Sequence, residues 1–256
     1  MDVFGQSDAL VTFGWGVDDL AVLASTCEVV VVIDVLRFTS CVSVACSRGA
    51  IVLPYEWDDE GVEAYAAAND AFVASKERAR GRWTLSPSDL REIPLGTRLV
   101  LPSPNGSALS FRAARLGTSV IAGCLRNADA VSGRLADSLL AGQRVAILAA
   151  GERWARNGLH STASPLRPAL EDLLGAGAII DRLAARFDGD LRDIASPESL
   201  AAHAVFVEAA PHLKERVSRC GSGRELHVRG WHDDVDTCAS IDEDHHVPVL
   251  TDGAYR

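Results

Sequence analysis

The hydrophobic positions along the chain repeat one unit: a short apolar run, a polar loop and then a segment with helical spacing. Val29–Ile33 has five consecutive β-branched residues, which predict a strand buried on both faces of a sheet. The other predicted strands span residues 50–53 (ended by Pro54), 98–101, 119–122, 144–149 and 247–250. The predicted helices span residues 37–47, 58–69, 105–116, 127–140, 166–186, 197–210, 211–218 and 233–239. This alternation predicts an α/β fold with a largely parallel sheet.

Composition narrows the class of protein. The chain has 256 residues, 48% of them hydrophobic and 23% charged, as in a globular protein of one domain or two small ones. Its six cysteines include no C-x-x-C pair, which indicates reduced thiols. The first 15 residues lack the basic and apolar regions of a signal peptide. We therefore expect a cytoplasmic protein.

The charge of the chain limits its partners. The formal net charge is −10, and an acidic protein repels the phosphates of nucleic acids and of anionic lipids. We therefore expect no nucleic acid and no membrane surface as partner. No apolar run reaches the ~18 residues that a membrane span needs. A small anionic substrate is compatible with this charge if arginines or a bound cation form its site.

Four polar loops each follow a predicted strand, at residues 34–40, 103–107, 123–127 and 151–153. In a parallel sheet the carboxyl ends of the strands lie at one edge, where ligands bind. We therefore expect these loops to converge, although they are far apart in the sequence.

The first loop places Asp34 directly after five apolar residues. Burying an acid there is unfavourable unless it is paired or binds a metal, so Asp34 is a candidate Mg²⁺ ligand. The alternative is that Asp34 caps the helix that follows. Arg37 is either a clamp for a phosphate or an exposed helix residue.

The loops at Asn105 and Asn127 each allow two interpretations. In Ser103-Pro104-Asn105-Gly106-Ser107 the small residues and the backbone N–H groups at a helix start suit an anion, but the same residues also form an ordinary turn. Asn127 is a ligand contact or a helix cap. Cys124 is a nucleophile or, as we favour, a buried thiol, because no histidine is near it in the sequence.

Acidic residues later in the chain also have two interpretations. Glu171 and Asp172 adjoin the apolar stripe of a predicted helix, where they complete a Mg²⁺ site or orient a water, or else form a solvated edge. Glu152 and Arg153 follow the strand at 144–149. Residues 242–246, Asp-Glu-Asp-His-His, resemble a metal cluster but lack a defined ligand spacing, which favours an exposed acidic loop.

Together these motifs resemble the 2-phosphosulfolactate phosphatase family. The matching segments, in order, are Ile33-Asp34-Val35-Leu36-Arg37-Phe38-Thr39-Ser40, Asn105-Gly106-Ser107, Asn127-Ala128, Ala150-Gly151-Glu152, Leu170-Glu171-Asp172, Gly175-Ala176-Gly177-Ala178, Ser222-Gly223-Arg224-Glu225-Leu226, Asp234, Cys238 and Val247-Pro248. Three segments depart from the family pattern. Lys76-Glu77-Arg78 replaces its Gly-Glu pair, Leu85-Ser86-Pro87 has leucine where the family has asparagine, and Pro104-Asn105-Gly106-Ser107 replaces Thr-Asn-Gly-Thr.

The resemblance implies a single domain over residues 1–256 with a three-layer α/β/α fold and a largely parallel or mixed central sheet. It also implies Mg²⁺ and the hydrolysis of (R)-2-phospho-3-sulfolactate to 3-sulfolactate and phosphate, a step of coenzyme M biosynthesis. Two alternatives stay open: a phosphatase for another phosphorylated hydroxy acid, and a non-catalytic anion-binding protein. The oligomeric state is open as well, and a homo-oligomer is compatible with the sequence.

The resemblance carries roles onto individual residues. The implied catalytic residues are Asp34, Arg37, Glu171 and Asp172, and the implied Mg²⁺ ligands are Asp34, Glu171 and Asp172. The implied substrate-binding residues are Thr39, Ser40, Ser103, Asn105, Gly106, Ser107, Asn127, Glu152 and Arg153. Among these, Arg37, Asn105, Gly106, Ser107 and Asn127 are expected to cradle the phosphate. Glu152 and Arg153 are expected to shape the site of a second acidic group.

Overall fold

The computed structural model describes residues 4–56, 61–75, 83–154 and 164–256. Its strands are β1 Val11–Trp15, β2 Val29–Ile33, β3 Ile51–Tyr55, β4 Phe72–Val73, β5 Arg98–Pro102, β6 Ser119–Gly123, β7 Val145–Ala149, β8 Glu152–Arg153, β9 Leu166–Arg167, β10 Leu250–Thr251 and β11 Ala254–Tyr255. Its α-helices are α1 Gly16–Leu23, α2 Phe38–Ser47, α3 Gly61–Ala68, α4 Gly106–Arg115, α5 Ala128–Leu140, α6 Leu170–Ala184, α7 Pro197–Ala209, α8 Leu213–Arg219, α9 Gly221–Val228 and α10 His232–Cys238.

The strands form two larger sheets and one ribbon. The first sheet is parallel, with the strand order β1-β7-β2-β6. The second has the order β10-β11-β3-β5-β4, in which β3, β4 and β5 run parallel and the hairpin β10–β11 makes the sheet mixed. Strands β8 and β9 pair antiparallel. The predicted α/β class with a largely parallel or mixed sheet is confirmed.

Alternation along β2 explains how the layers pack. Val31 and Ile33 belong to the core that also contains apolar residues of α5, α6 and α7. Val30 and Val32 belong to a second core with residues of α1, α2 and α4 and of the second sheet. Because successive side chains of a strand point to opposite faces, helices cover both faces of the parallel sheet, as in an α/β/α sandwich. The second sheet lies beyond one helical layer, and α3 covers its other face.

Several predicted boundaries were wrong. The strand predicted to end at Pro54 continues to Tyr55 in β3, which is tolerated because β11 pairs only with Val52 and leaves one side of β3 unpaired at the proline. The strand predicted at 247–250 is replaced by the hairpin β10–β11. The helix predicted from residue 166 begins at Leu170, since Leu166–Arg167 forms β9. The predicted start of the helix at 58–69 lies outside the described residues.

The fold brings the starts of three helices to one region. Helix α2 follows β2, α4 follows β5, and α6 follows β9, which pairs with β8 just beyond the end of β7. The N–H groups at a helix start lack partners within the helix, so these starts offer donors to acidic groups. In the described part of the chain, no helix combines the length and apolar character needed to span a membrane.

Candidate active site

Four carboxylates meet where these helices begin: Asp34 after β2, Glu152 in β8, and Glu171 and Asp172 in the first turn of α6. We call them the carboxylate cluster. Asp34, Glu171 and Asp172 are 7%, 1% and 3% exposed. The solvated helix edge considered for Glu171 and Asp172 is therefore wrong: both are buried, and Asp172 bonds to the loops that follow β2 and β7.

Asp34 joins the starts of two helices. Its Oδ1 accepts a hydrogen bond from the N–H of Phe38 (3.2 Å), and its Oδ2 accepts one from the N–H of Gly106 (2.8 Å). The hydroxyl of Ser103 donates to the same Oδ2 at 3.5 Å. The N-cap residue of α2 is Arg37 and not Asp34, but the Asp34 carboxylate accepts from the first N–H of that helix and holds the loops after β2 and β5 together.

Gly106 has to be a glycine for this contact. A Cβ atom there would lie 2.4 Å from Cδ1 of Phe38 and 2.7 Å from Oδ2 of Asp34, closer than van der Waals contact allows. Because the N–H of Gly106 already donates to Asp34, the structure uses this residue to place the carboxylate. Its expected part in a phosphate cradle stays a prediction.

Asp172 connects the loop after β7 to the loop after β2. Its Oδ1 accepts from the N–H of Val35 (2.8 Å), and its Oδ2 accepts from the N–H of Gly151 (2.9 Å). Since Val35 follows β2 and Gly151 follows β7, one side chain fixes the spacing of two strand ends. With the contacts of Asp34, this brings three of the four predicted loops together.

Glu152 is linked to the second sheet through Asn105, whose Nδ2 donates to Oε2 of Glu152 at 3.1 Å. Glu171 differs from the other members, because its Oε2 is buried and has no hydrogen-bond partner. A buried carboxylate oxygen without a donor is unfavourable by several kcal/mol or more unless the group is protonated or meets a cation.

Burial and mutual repulsion raise the pKa values in the cluster. Burial raises the pKa of Asp34 to about 6, opposed by the N–H groups of Phe38 and Gly106, and the charge of Glu171 adds to the rise. Burial, followed by the charges of Asp34 and Glu171, raises the pKa of Glu152 to about 8. Burial, followed by the same two charges, also raises the pKa of Asp172. The site therefore carries more negative charge than its own surroundings neutralise.

This donor set fits Mg²⁺. Carboxylate oxygens are its preferred protein ligands, and the buried, unpartnered Oε2 of Glu171 is an available one. Within the described residues, no three His, Cys, Asp or Glu side chains are grouped to hold a metal ion by themselves. Mg²⁺ tolerates that arrangement, because it usually keeps several waters and takes one or two carboxylates together with substrate phosphate.

Arg37 is held by residues distant in the sequence. Its Nη1 lies 2.5 Å from Oδ2 of Asp234, and its guanidinium lies 4.5 Å from the ring centre of Trp231. Asp234 is fully buried, and its Oδ1 accepts hydrogen bonds from the hydroxyls of Ser86 and Ser88 at 2.6 Å each. The exposed-helix interpretation of Arg37 is therefore wrong, because only 9% of its side chain is exposed.

Four of the predicted substrate-binding residues are fully buried and bond to their own loops. Oγ1 of Thr39 donates to the carbonyl of Asp34, and Oγ of Ser40 donates to the carbonyl of Val35. Oγ of Ser107 donates to the carbonyl of Leu101. Oδ1 of Asn127 accepts from the N–H of Cys124, and its Nδ2 donates to the carbonyl of Ala122. In this structure these side chains bond within their own loops, and their expected contact with a substrate stays a prediction.

The loop at 123–127 contacts the acidic segment near the C-terminus through Arg126. Arg126 pairs with Asp244 (2.8 Å) and Glu243 (2.8 Å), and so anchors the acidic segment near the C-terminus. Asp244 is therefore a paired acid with 10% of its side chain exposed, whereas 51% of the Glu243 side chain is exposed. Cys124 is fully buried, and burial raises the pKa of its thiol, so it is the buried thiol that we favoured.

Arg167 was not predicted as a site residue from the sequence. The β8–β9 ribbon places it opposite Glu152, where its charge lowers the pKa of that carboxyl. Nη2 of Arg167 donates to Oγ of Ser222 at 3.2 Å. A two-residue strand inside a predicted helix has no detectable pattern of its own. Arg153, which the sequence did indicate, donates from Nη1 to the carbonyl of Ser164 at 3.2 Å.

Comparison with known proteins agrees with these motifs. The model of the 2-phosphosulpholactate phosphatase family matches residues 18–253. Relatives named probable 2-phosphosulfolactate phosphatase include a Caldanaerobacter subterraneus protein, 27% identical over 89% of both chains. A Thermus thermophilus protein with that name is 31% identical over 87% of this chain and 88% of its own. A Synechococcus protein is 29% identical over 84% and 86%. With its matching motifs and its α/β/α architecture, the chain belongs to the 2-phosphosulpholactate phosphatase family.

Proposed function

We propose that this chain is a Mg²⁺-dependent phosphatase that hydrolyses (R)-2-phospho-3-sulfolactate to 3-sulfolactate and phosphate. The observation that carries the proposal is the carboxylate cluster, four acids brought together from distant loops with one buried oxygen left unpartnered. A cluster of that kind is unfavourable for folding, and its presence supports the proposal of a cation-dependent function. The names of the relatives supply the substrate.

Glu171 and Asp34 are the residues that would hold the ion, through the unpartnered Oε2 of Glu171 and the carboxylate at the two helix starts. When bound, Mg²⁺ supplies positive charge that offsets the charge of the phosphoryl oxygens. Asp172 sets the distance between the loops through Val35 and Gly151. We therefore propose that Asp172, which the sequence predicted as a Mg²⁺ ligand, positions the loops of the site.

Arg37 would meet a phosphoryl oxygen, because it follows Asp34 by three residues and because Asp234 and Trp231 fix the orientation of its side chain. A guanidinium held in advance loses less conformational freedom when it binds an oxyanion. Asn105 would keep Glu152 in place beside the substrate through its 3.1 Å hydrogen bond.

The test is the release of inorganic phosphate from 2-phospho-3-sulfolactate and from 2-phospholactate, each in Mg²⁺ and in EDTA. We expect release that requires Mg²⁺ and has a higher kcat/KM for the sulfonated substrate. Equal or greater release from 2-phospholactate would show a phosphatase for another hydroxy acid. Tight binding without release would show an anion-binding protein, and release in EDTA would contradict the role of Mg²⁺.

A further inference from the structure

A cavity of about 330 Å³ adjoins the carboxylate cluster at Asn105. Asn105 lines this cavity and also donates to Glu152, so a molecule bound at the cluster can extend into it. Two arginines line the cavity, Arg153 from β8 and Arg112 from α4. Arg153 was predicted from the sequence, whereas Arg112 was not.

The geometry of α4 directs Arg112 toward the cluster. Asn105, Ala108 and Arg112 all line the cavity, at the spacing of one helix face. Arg112 lies seven residues after Asn105 in the chain, about 10 Å along the helix axis. Side chains of a helix lean toward its N-terminus, so from this position Arg112 can reach back past Ala108 toward Asn105.

Arg112 is held by a contact that a ligand can replace. Its Nη2 donates to Oε1 of Glu56 at 3.2 Å, and half of its side chain is exposed. Glu56 lines the same cavity. An ion pair that solvent reaches contributes little, so an anion entering the cavity competes with Glu56 at small loss.

We propose that Arg112 binds the second acidic group of the substrate, at the far end of this cavity from the carboxylate cluster, and that Glu56 occupies Arg112 until that group arrives. Arg112 would then be the residue that sets the preference for a substrate with an acidic group opposite its phosphate. This inference rests on the proposed function for the place of the phosphate and for the presence of a second acidic group.

The experiment measures binding rather than turnover, so it stands apart from the test of phosphate release. The affinities of 3-phosphonopropionate and propylphosphonate are measured by calorimetry in Mg²⁺. Both ligands resist hydrolysis and have the same chain length. They differ only at the end opposite the phosphonate, where 3-phosphonopropionate has a carboxylate and propylphosphonate has a methyl group. The proteins are the wild type, Arg112→Ala, and the control Arg115→Ala, which changes an exposed arginine of the same helix that does not line the cavity.

We expect the wild type to prefer 3-phosphonopropionate about tenfold or more, because it alone can pair with an arginine. Arg112→Ala should remove that preference and leave propylphosphonate unchanged, and Arg115→Ala should match the wild type. Glu56→Gln should tighten 3-phosphonopropionate binding by removing its competitor. The proposal is overturned if the wild type shows no preference, if Arg112→Ala keeps it, or if Glu56→Gln weakens it.

Discussion

The molecule has two groups of acids with little exposure to solvent, and they differ in whether an arginine pairs with them. Asp234 and Asp244 each accept hydrogen bonds from an arginine, Arg37 and Arg126 respectively. The carboxylate cluster has backbone N–H groups, one serine hydroxyl and one asparagine amide as donors, and its burial and repulsion raise the pKa values of its members. The chain therefore neutralises some of its buried acids and leaves others in excess.

The difference separates structural acids from functional ones. Removing a charge from water is unfavourable unless a partner offsets it. Where the protein supplies that partner, the acid anchors distant segments, as Asp234 anchors Arg37 to the serines at 86 and 88. Where the protein supplies no such partner, the partner of the acid has to come from solution. The unpaired acids then lower the stability of the folded protein, as is common at binding sites.

The largest effect on turnover is expected for Glu171→Gln. This change keeps the shape of the side chain and removes the charge of the oxygen that lacks a partner. We expect kcat/KM for phosphate release to fall about 100-fold or more, because the proposed ligand of Mg²⁺ is lost. In EDTA the variant should be at least as stable to heat as the wild type, because the repulsion within the cluster is reduced.

Glu208→Gln is the control for that variant, since Glu208 is an exposed acid paired with Arg216 at 2.7 Å. It should leave turnover and stability unchanged. A Glu171→Gln enzyme that is as active as the wild type would remove the basis for treating the cluster as functional.

Gly106→Ala should reduce turnover about 10- to 100-fold. The added Cβ would lie 2.7 Å from Oδ2 of Asp34, so the carboxylate has to move out of the cluster. A misplacement of about 1 Å at a reacting centre has effects of this size. Phosphate release at saturating Mg²⁺ measures it, together with the urea midpoint of unfolding.

The matched control is Gly133→Ala in α5, where the nearest atom to an added Cβ is Nε of Arg186 at 3.6 Å, an ordinary contact. It should be neutral or slightly stabilising, because alanine favours the helix. Equal losses of activity in the two variants would mean that Gly106 has no special link to Asp34.

Asp234→Asn tests whether Asp234 contributes to turnover by holding Arg37 in position. The change removes the ion pair that holds Arg37 and leaves the serine hydroxyls able to donate. We expect about a tenfold loss of kcat/KM, mainly through KM, because Arg37 is no longer held ready for the phosphate. Steady-state kinetics with Asp190→Asn, an exposed acid that pairs with Arg192, provide the control.

A purely structural role for Asp234 would show itself differently. In that case Asp234→Asn would lower the temperature of unfolding, and KM at a temperature well below unfolding would equal that of the wild type. The kinetic result therefore decides between positioning and simple stabilisation.

The smallest effect on turnover is expected for Arg126→Met. It leaves Asp244, whose side chain is 10% exposed, without its arginine, and such a loss costs about 3 kcal/mol of stability or more. We expect urea unfolding to show that loss while kcat changes less than threefold. Arg192→Met, at an exposed pair, should change the free energy of unfolding by less than about 0.5 kcal/mol. A large loss of kcat in Arg126→Met would extend the active site to this region.

The sequence predicted β2 because a run of β-branched residues is a strong local signal, and the helix predicted after it over residues 37–47 is α2. It also indicated Asp34, Glu171 and Asp172 as a group, through the family motifs. It did not reveal β1, whose threonine and glycine weaken the apolar pattern and whose place depends on backbone pairing with β7.

Longer-range features had no local signal. The division of β2 and β5 between two sheets depends on strand pairing and not on either pattern. Glu171 and Asp172 are buried by tertiary contacts, those of Asp172 being with the loops after β2 and β7, so helical spacing alone suggested a solvated edge. The contact of Arg37 with Asp234 spans 197 positions in the sequence, and the fold alone brings the two together.

The most direct test of the account is calorimetric titration of Mg²⁺ into the wild-type protein and into Glu171→Gln. We predict saturable binding of about one ion per chain in the wild type, with a rise in the temperature of unfolding that follows from binding to the folded state alone. Glu171→Gln should show no such heat and no such rise at the same concentrations. Equal Mg²⁺ binding by both proteins, or none by the wild type, would contradict the assignment of the carboxylate cluster as a cation site.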